Sequence, residues 1–313
     1  MLSNDTSSYA YAGNAKIVRG AEYSNDTLTA VGGNGAIPNV QYALENYGIF
    51  RILDNGECKG LEYDKAILGL SPYTNTTDGP SFRQNLYDAG QVASKTLVMW
   101  FNKHVGALGK LTGGVLFGAI DTSKYTGPLI RIPSVIAQYQ IGVYIPKPNI
   151  TINGHTFVPD DDTTCLIDSG AHGDSLPFAY SGKGQDRFFN ESGFVDYNGI
   201  VAYNGSCDSI PQDLKITYTF PGVKASEEIS IDVLVRNYAR SFDAPPEAGN
   251  ICLLNMEIGG CILGAPFLSG AFMALDDEDD SIALAQGGIS EEGSGVDAAS
   301  LKTIGKGQSF DTV

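Results

Sequence analysis

The most constraining feature of this sequence is an alternation of apolar and polar residues that recurs through its second half. Residues of one face stand at every second position in three stretches, and these are Tyr139, Ile141, Val143 and Ile145, then Ile216, Tyr218 and Phe220, then Ile229, Ile231, Val233 and Val235. Successive side chains of a β-strand point to opposite faces, so a period of two predicts half-buried strands. The dipeptide Asn153-Gly154 follows another apolar pair and is typical of a two-residue hairpin turn. The pattern predicts an all-β chain.

Helical spacing is convincing only in short stretches such as residues 80–92, where Phe82, Leu86 and Ala89 share a helical face. The 38 Gly, 16 Tyr and 14 Phe beside 18% charged residues also favour strands and turns. With 313 residues, of which 42% are hydrophobic, the chain is long enough for two lobes of ordinary domain size. Residues 287–313 are rich in Gly, Ser, Glu and Asp, and this composition predicts a disordered tail.

The net charge and the glycosylation sequons of the chain indicate which partners and which cellular location to expect. A net charge of −16 argues against nucleic acid as a partner, because phosphate binding needs clustered Lys and Arg. The acidic excess predicts either an ordinary solvated surface or adaptation to acid. We expect no membrane span, since no run reaches roughly 18 apolar residues, and the start MLSNDTSSYAY lacks a secretory pattern. Nevertheless six Asn-x-Ser/Thr sequons favour a secreted or cell-surface protein, at Asn4, Asn25, Asn75, Asn149, Asn190 and Asn204.

The cysteines do not form a metal-binding pattern. There is no Cys-x-x-Cys and only three His, so we expect no zinc or other metal site. The five cysteines are Cys58, Cys165, Cys207, Cys252 and Cys261. An odd count leaves at least one thiol without an intramolecular partner, which fits either a partner cysteine upstream or a buried free thiol.

One segment places a carboxylate directly after an apolar run. It reads CLIDSGA at residues 165–171, and Leu176-Pro177 follows. This segment resembles the active-site strand and loop of pepsin-like aspartic endopeptidases. Three further stretches resemble the same family in its order, namely GVLFGAID with KYTGP at 114–128, ILGAPFL running on to IALA at 262–285, and DKAILGL at 64–70. Together these matches cover roughly residues 9 to 286 and are closest in style to fungal secreted members.

The resemblance implies a bilobal pepsin-like acid protease fold and a set of site residues. It implies an N-terminal lobe over residues 1–133, with a flap near 9–20 that carries Tyr11, and a C-terminal lobe over 134–286. Asp168 is expected to bind the attacking water, and Ser169, Gly170 and Ala171 to border the substrate together with Tyr11. Ala171 departs from the Ser or Thr usual in pepsins, and His172 is unusual there. The resemblance also implies a disulfide between Cys207 and Cys252.

The family chemistry needs a second carboxylate that shares one proton with Asp168. The repeat AILG at 66–69 and CILG at 261–264 is offset by 195 residues. Applied to Asp168, this offset puts the partner Asp before Met1, so we expect the N-terminal segment that carries it to be missing. Two functions follow: an aspartic-type endopeptidase of which this chain carries the second catalytic Asp, or a catalytically inactive, secreted pepsin-like binding protein. The implied partner is a peptide or protein substrate, no cofactor is expected, and the protein is expected to be a monomer.

Overall fold

The structure is a computed structural model of the chain. It describes residues 6–11, 16–29, 36–44, 47–50, 68–71, 80–103, 111–134, 142–159, 161, 163–179, 183–240, 250–308 and 310. The contacts divide the chain into two compact units, Met1–Val92 and Ala93–Val313. They are called the first and the second unit below, and each is described by itself.

In its described residues, the first unit contains a four-stranded antiparallel sheet and one short helix. Its elements are β1 (Thr6–Tyr11), β2 (Lys16–Thr29), β3 (Ala36–Leu44), β4 (Tyr47–Phe50) and α1 (Phe82–Asp88). Strand β2 pairs with each of the other three strands. Helix α1 begins after Ser81, whose side chain accepts a hydrogen bond from the Gln84 amide. It lies within the stretch 80–92 for which a helix is predicted.

The second unit is built mainly from strands. These are β5 (Thr96–Phe101), β6 (Gly113–Phe117), β7 (Ala119–Asp121), β8 (Thr126–Ile132), β9 (Val143–Pro146), β10 (Asn149–Ile152), β11 (His155–Phe157), β12 (Thr164–Ile167), β13 (Asp174–Leu176), β14 (Phe194–Tyr197), β15 (Ile200–Tyr203), β16 (Lys215–Pro221), β17 (Glu228–Leu234), β18 (Cys252–Ile258), β19 (Ile262–Leu263), β20 (Ala271–Asp276), β21 (Ser281–Gln286) and β22 (Leu301–Thr303). The helices are α2 (Lys183–Ser192) and α3 (Ala265–Leu268), with 3-10 turns at Thr122–Lys124, Cys207–Ser209 and Val235–Tyr238. The all-β prediction is confirmed.

Four sheets organise these strands. The largest has the order β14-β15-β18-β13-β19-β12-β9 and carries the candidate site. A four-stranded sheet has the order β11-β10-β16-β17, a five-stranded sheet has the order β6-β5-β20-β21-β8, and β22 pairs with β7. The longest described helix of the second unit, α2, has ten residues. No helix in the described part of the chain has the length and apolar character that a membrane crossing requires.

In the sheet β11-β10-β16-β17, the apolar residues of the sequence alternation are the buried ones. Ile216, Tyr218 and Phe220 of β16 are fully buried, and the facing residues of β17 on the same side are also in the core. Between β10 and β11 the chain turns at Asn153 and Gly154, with φ of 50° and 80°. Two consecutive residues with positive φ are what a type I′ hairpin turn requires, as the dipeptide predicts.

Two predictions about domain limits differ from the structure. The contact boundary falls after Val92 rather than after residue 133. The reason is that β5 and β8 pair with β20 and β21, which joins residues 96–132 to the end of the chain. The disordered tail predicted for 287–313 is wrong for the described residues 287–308 and 310. Strand β22 pairs with β7, and Ile304 and Phe310 are each only 2% exposed.

Candidate active site

Two parallel strands of the seven-stranded sheet position Asp168. Strands β12 and β19 pair with Leu166 opposite Ile262 and Ile167 opposite Leu263. Cys165 and Ile167 are buried, and this apolar alternation is what fixes β12 in the sheet. Asp168 follows directly at the carboxyl end of the strand, where its amide donates to the Leu263 carbonyl over 3.0 Å. The carboxylate therefore stands at the end of a rigid strand pair.

The Asp-Ser-Gly segment forms a tight turn around its own carboxylate. The Gly170 amide donates to Asp168 Oδ1 over 2.9 Å, and the Ala171 amide donates to the Asp168 carbonyl over 3.0 Å. Asp168 is half-buried, whereas Ser169 and Gly170 are exposed. A carboxylate that accepts a backbone amide two residues on is held in one orientation. The turn thus holds the half-buried carboxylate of Asp168 in a defined orientation.

The two unusual neighbours of Asp168 have different surroundings. Ala171 lacks the hydroxyl that pepsins carry there, but its backbone is used, because its carbonyl accepts from the Ala265 amide over 2.8 Å. A Cβ at Gly264 would collide with the carbonyl oxygens of Ala171 and Gly173, so the loop and the β19–α3 turn touch backbone to backbone. His172 is exposed.

Two disulfides reinforce the second unit. Cys207 pairs with Cys252, the pairing that the family resemblance implies. Cys165 of β12 pairs with Cys261, the residue directly before β19, so the bond links the strand pair that leads into the Asp168 loop. Sequence reasoning missed this second bond. The available signal was the equal spacing of three residues from Cys165 to Asp168 and from Cys261 to Gly264. The remaining cysteine, Cys58, lies outside the described residues.

A second carboxyl group near the loop was also missed. Asp174 begins β13 and is 1% exposed, and its hydrogen-bond partners include the hydroxyls of Tyr218 and Tyr238. Burial raises the pKa of Asp174 to about 7, and hydrogen bonds from Tyr238, Gly264, Tyr218 and Phe267 oppose that rise. In sequence this residue resembles an ordinary turn aspartate, and nothing local shows that two tyrosines converge on it.

The predicted flap residue lies in the first unit. Tyr11 ends β1, opposite Lys16 of β2, so residues 9–11 do belong to a β-hairpin. Residues 12–15 and the side chain of Tyr11 lie outside the described part. The substrate-binding role of Tyr11 stays a prediction, as do the roles of Ser169, Gly170 and Ala171. Of the 64–70 stretch, only residues 68–70 are described.

Comparison with known proteins gives a consistent result. The chain is 26% identical over 247 residues to the probable aspartic-type endopeptidase opsB of Aspergillus oryzae, covering 71% of this chain and 47% of that protein. It is 26% identical over 233 residues to secreted aspartic protease 3 of Candida albicans, covering 71% and 52%. The chain thus spans about half the length of these relatives.

Structure and family comparisons agree with these relatives. The crystal structure of the aspartic proteinase from Irpex lacteus matches with a TM-score of 0.63 at 17% identity, over 93% of this chain and 83% of that one, which shows the shared fold. A family model described as eukaryotic aspartyl protease matches residues 54–287, three quarters of the chain and the whole stretch that holds the Asp168 loop and its supporting strands. The chain belongs to the eukaryotic aspartyl protease family.

Proposed function

We propose that this chain is part of an aspartic-type endopeptidase in which Asp168 is one of the two catalytic carboxylates. The observation that carries the proposal is the placement of Asp168 at the end of the β12–β19 pair, with Oδ1 held by the Gly170 amide. Preorganised orientation is what a proton-transfer group needs, because a misplaced base loses much of its effect. The substrate class would be a peptide or protein, and no cofactor takes part.

The proposed reaction divides two tasks between two carboxyl groups. Asp168 and its partner would share one proton, so that one group is ionised and takes a proton from the attacking water. The other is protonated and donates to the scissile carbonyl oxygen. Water then adds to the carbonyl carbon, and the C–N bond breaks as the amine takes up a proton. The printed sequence contains one Asp-Ser-Gly and no Asp-Thr-Gly, and we propose that the second carboxylate is supplied by residues outside these 313.

The alternative is a catalytically inactive, pepsin-like peptide- or protein-binding protein. Two observations favour it: the single motif, and Ala171 in the place of a hydroxyl that would bond to the carboxylate. Under either function we propose a secreted monomer. Two disulfides support an oxidising compartment, and the sequon residues Asn25, Asn149, Asn190 and Asn204 are exposed. A mass decrease on enzymatic deglycosylation of the protein from culture medium tests this.

The decisive experiment extends the chain with the upstream coding sequence and replaces Asp168 by Asn. Asn keeps the size and one acceptor oxygen but cannot exchange the shared proton, so cleavage of a peptide at acid pH should fall about 10³-fold or more while the melting temperature changes little. Asp196→Asn is the matched control, because the exposed Asp196 carboxylate, like that of Asp168, accepts a glycine amide, from Gly199 over 2.8 Å. An extended protein in which Asp168→Asn retains most activity contradicts the proposal.

A further inference from the structure

A carboxyl group lies buried behind the Asp168 loop, and the proposed reaction does not use it. Asp174 follows Asp168 by six residues and is 1% exposed. Its Oδ1 accepts the Gly264 amide over 2.7 Å, and its Oδ2 lies 2.8 Å from the Tyr238 hydroxyl and 3.2 Å from the Tyr218 hydroxyl. An ionised carboxylate is costly to bury, so a group in this position calls for a physical explanation.

Three oxygen atoms form a closed ring at this point. Besides their contacts with Asp174, the hydroxyls of Tyr218 and Tyr238 lie 2.8 Å from each other. Each of the three oxygen pairs needs one proton to become a hydrogen bond, and the two tyrosines supply only two. A protonated Asp174 supplies the third, with each oxygen donating once and accepting once. If Asp174 is ionised, one close oxygen pair has no proton between its atoms, so the ring geometry favours the neutral acid.

The other oxygen of Asp174 connects this ring to the catalytic loop. Gly264, which donates to Asp174 Oδ1, stands between Leu263 and Ala265. Those two neighbours bond the loop at both ends, through the Asp168 amide and the Ala171 carbonyl. Because Gly264 also touches the loop carbonyls directly, a shift of its backbone displaces the loop. Asp174 thus holds the middle of the segment against which the Asp168 loop rests.

We propose that Asp174 is a positioning residue whose protonated carboxyl, closed in a hydrogen-bonded ring with Tyr218 and Tyr238, holds Gly264 and through it the Asp168 loop in place at acid pH. The catalytic part of this inference rests on the proposed function, whereas the structural part does not.

Few ionisable side chains other than Tyr218 and Tyr238 lie on the elements packed against Asp174. Strand β16 contributes Tyr218, and the turn Val235–Tyr238 contributes Tyr238. Strand β19 and helix α3 have no ionisable side chain, and on β18 Glu257 accepts from Ser175 over 2.8 Å. Arg240 donates to the Leu254 carbonyl and interacts with Glu257. The loop itself carries Asp168 and the exposed His172.

The direction of the pH dependence follows from the burial of Asp174. Its pKa is about 7 in the folded protein and has an ordinary value of 3.8. Between these values the folded chain holds a proton that the unfolded chain has released. The contribution to stability is therefore fully present below pH 3.8 and is lost as pH rises through about 7. One such proton raises the unfolding constant about tenfold per pH unit within this window.

The test compares the 313-residue chain with its Asp174→Asn variant by urea unfolding from pH 4 to 8. Asn keeps an acceptor for Gly264 but cannot titrate, so the ratio of the two unfolding constants should change about tenfold per pH unit in the middle of the range. Asp196→Asn, at an exposed position of β14, should leave the pH profile unchanged. Parallel profiles for wild type and Asp174→Asn overturn the proposal.

A second variant covers the case in which Asp174→Asn does not fold. Tyr238→Phe removes one hydroxyl of the ring and its hydrogen bond to Asp174, so the pH at which the profile loses its slope should shift from the wild-type value. A Tyr238→Phe profile that keeps the wild-type midpoint contradicts the ring.

The loop itself supplies a third measurement. Amide exchange of residues 168–173 is measured for the wild type and for Asp174→Asn at pH 5 and at pH 8, and the rates are corrected for intrinsic exchange. The ratio of the wild-type rate to the variant rate should be higher at pH 8 than at pH 5. In the extended enzyme, the alkaline limb of the pH profile of kcat should shift in Asp174→Asn, with little change in KM. A limb at the same pH as in the wild type refutes the positioning role. If Asp168→Asn stays active, the proposed function fails while the unfolding profiles still test the ring.

Discussion

The end of the described chain should contribute substantially to the stability of the second unit. Phe310 and Ile304 are each 2% exposed, and they belong to an apolar cluster with Trp100, Ile120 and Phe272. Removing a buried Phe side chain costs about 3–5 kcal/mol, because it loses transfer energy and leaves a cavity. We therefore expect Phe310→Ala to lower the free energy of unfolding by about 3–5 kcal/mol. For a unit of this size that corresponds to a melting temperature about 6–20 °C lower.

Urea and thermal unfolding of the purified chain measure this effect. Val296→Ala is the control, because Val296 lies in the same segment but is 45% exposed, and its truncation should change stability by about 0.5 kcal/mol or less. The two variants remove apolar side chains at nearby positions and differ chiefly in burial. If Phe310→Ala is as stable as Val296→Ala, the segment does not belong to the core, and the disordered tail predicted from composition is the better description.

Three further predictions concern the site and its support. Replacing Cys165 and Cys261 by Ala opens a loop with a sequence separation of 96, and loop-closure entropy suggests a loss of about 4–5 kcal/mol in the free energy of unfolding. Unfolding curves under non-reducing conditions that match the wild type would rule the bond out. Gly264→Ala should destabilise the second unit by about 1–3 kcal/mol and speed proteolysis of the 168–173 loop, because the added Cβ meets two carbonyl oxygens; unchanged proteolysis and stability contradict that contact. The 313-residue chain alone should show no acid peptidase activity, and cleavage that Asp168→Asn abolishes in this chain refutes the need for a second carboxylate.

The parts of the fold that the sequence predicts are those with a local cause. The alternation in β16 and β17 predicts strands because burial on one face is set residue by residue, and Asn153-Gly154 predicts a hairpin because few residues accept a positive φ. The pairing of β5 with β20 has no local signature, since it joins segments far apart in the chain. This is why the boundary at residue 133 differs from the contact division.

The site shows the same division between local and distant causes. CLIDSGA identifies Asp168 because the strand, the carboxylate and the turn are consecutive. Asp174 is hidden, because its partners Tyr218 and Tyr238 come from other elements and each looks like an ordinary core tyrosine. Average composition fails for the described residues 287–308 and 310 for another reason: Ile304 and Phe310 pack in an apolar cluster and β22 pairs with β7, and neither contact is visible in the composition of the segment.

The order of strands in the five-stranded sheet determines when each strand can pair during synthesis. Strand β8 leaves the ribosome early, yet its partner in the described sheet, β21, is Ser281–Gln286. At about 5–20 residues per second, synthesis of the intervening chain takes roughly 7–30 s. During that time β8 is an unpaired strand edge, which is a template for association with other chains. Translation products that end before Ala271 lack both β20 and β21, and such products should aggregate rather than accumulate as soluble fragments.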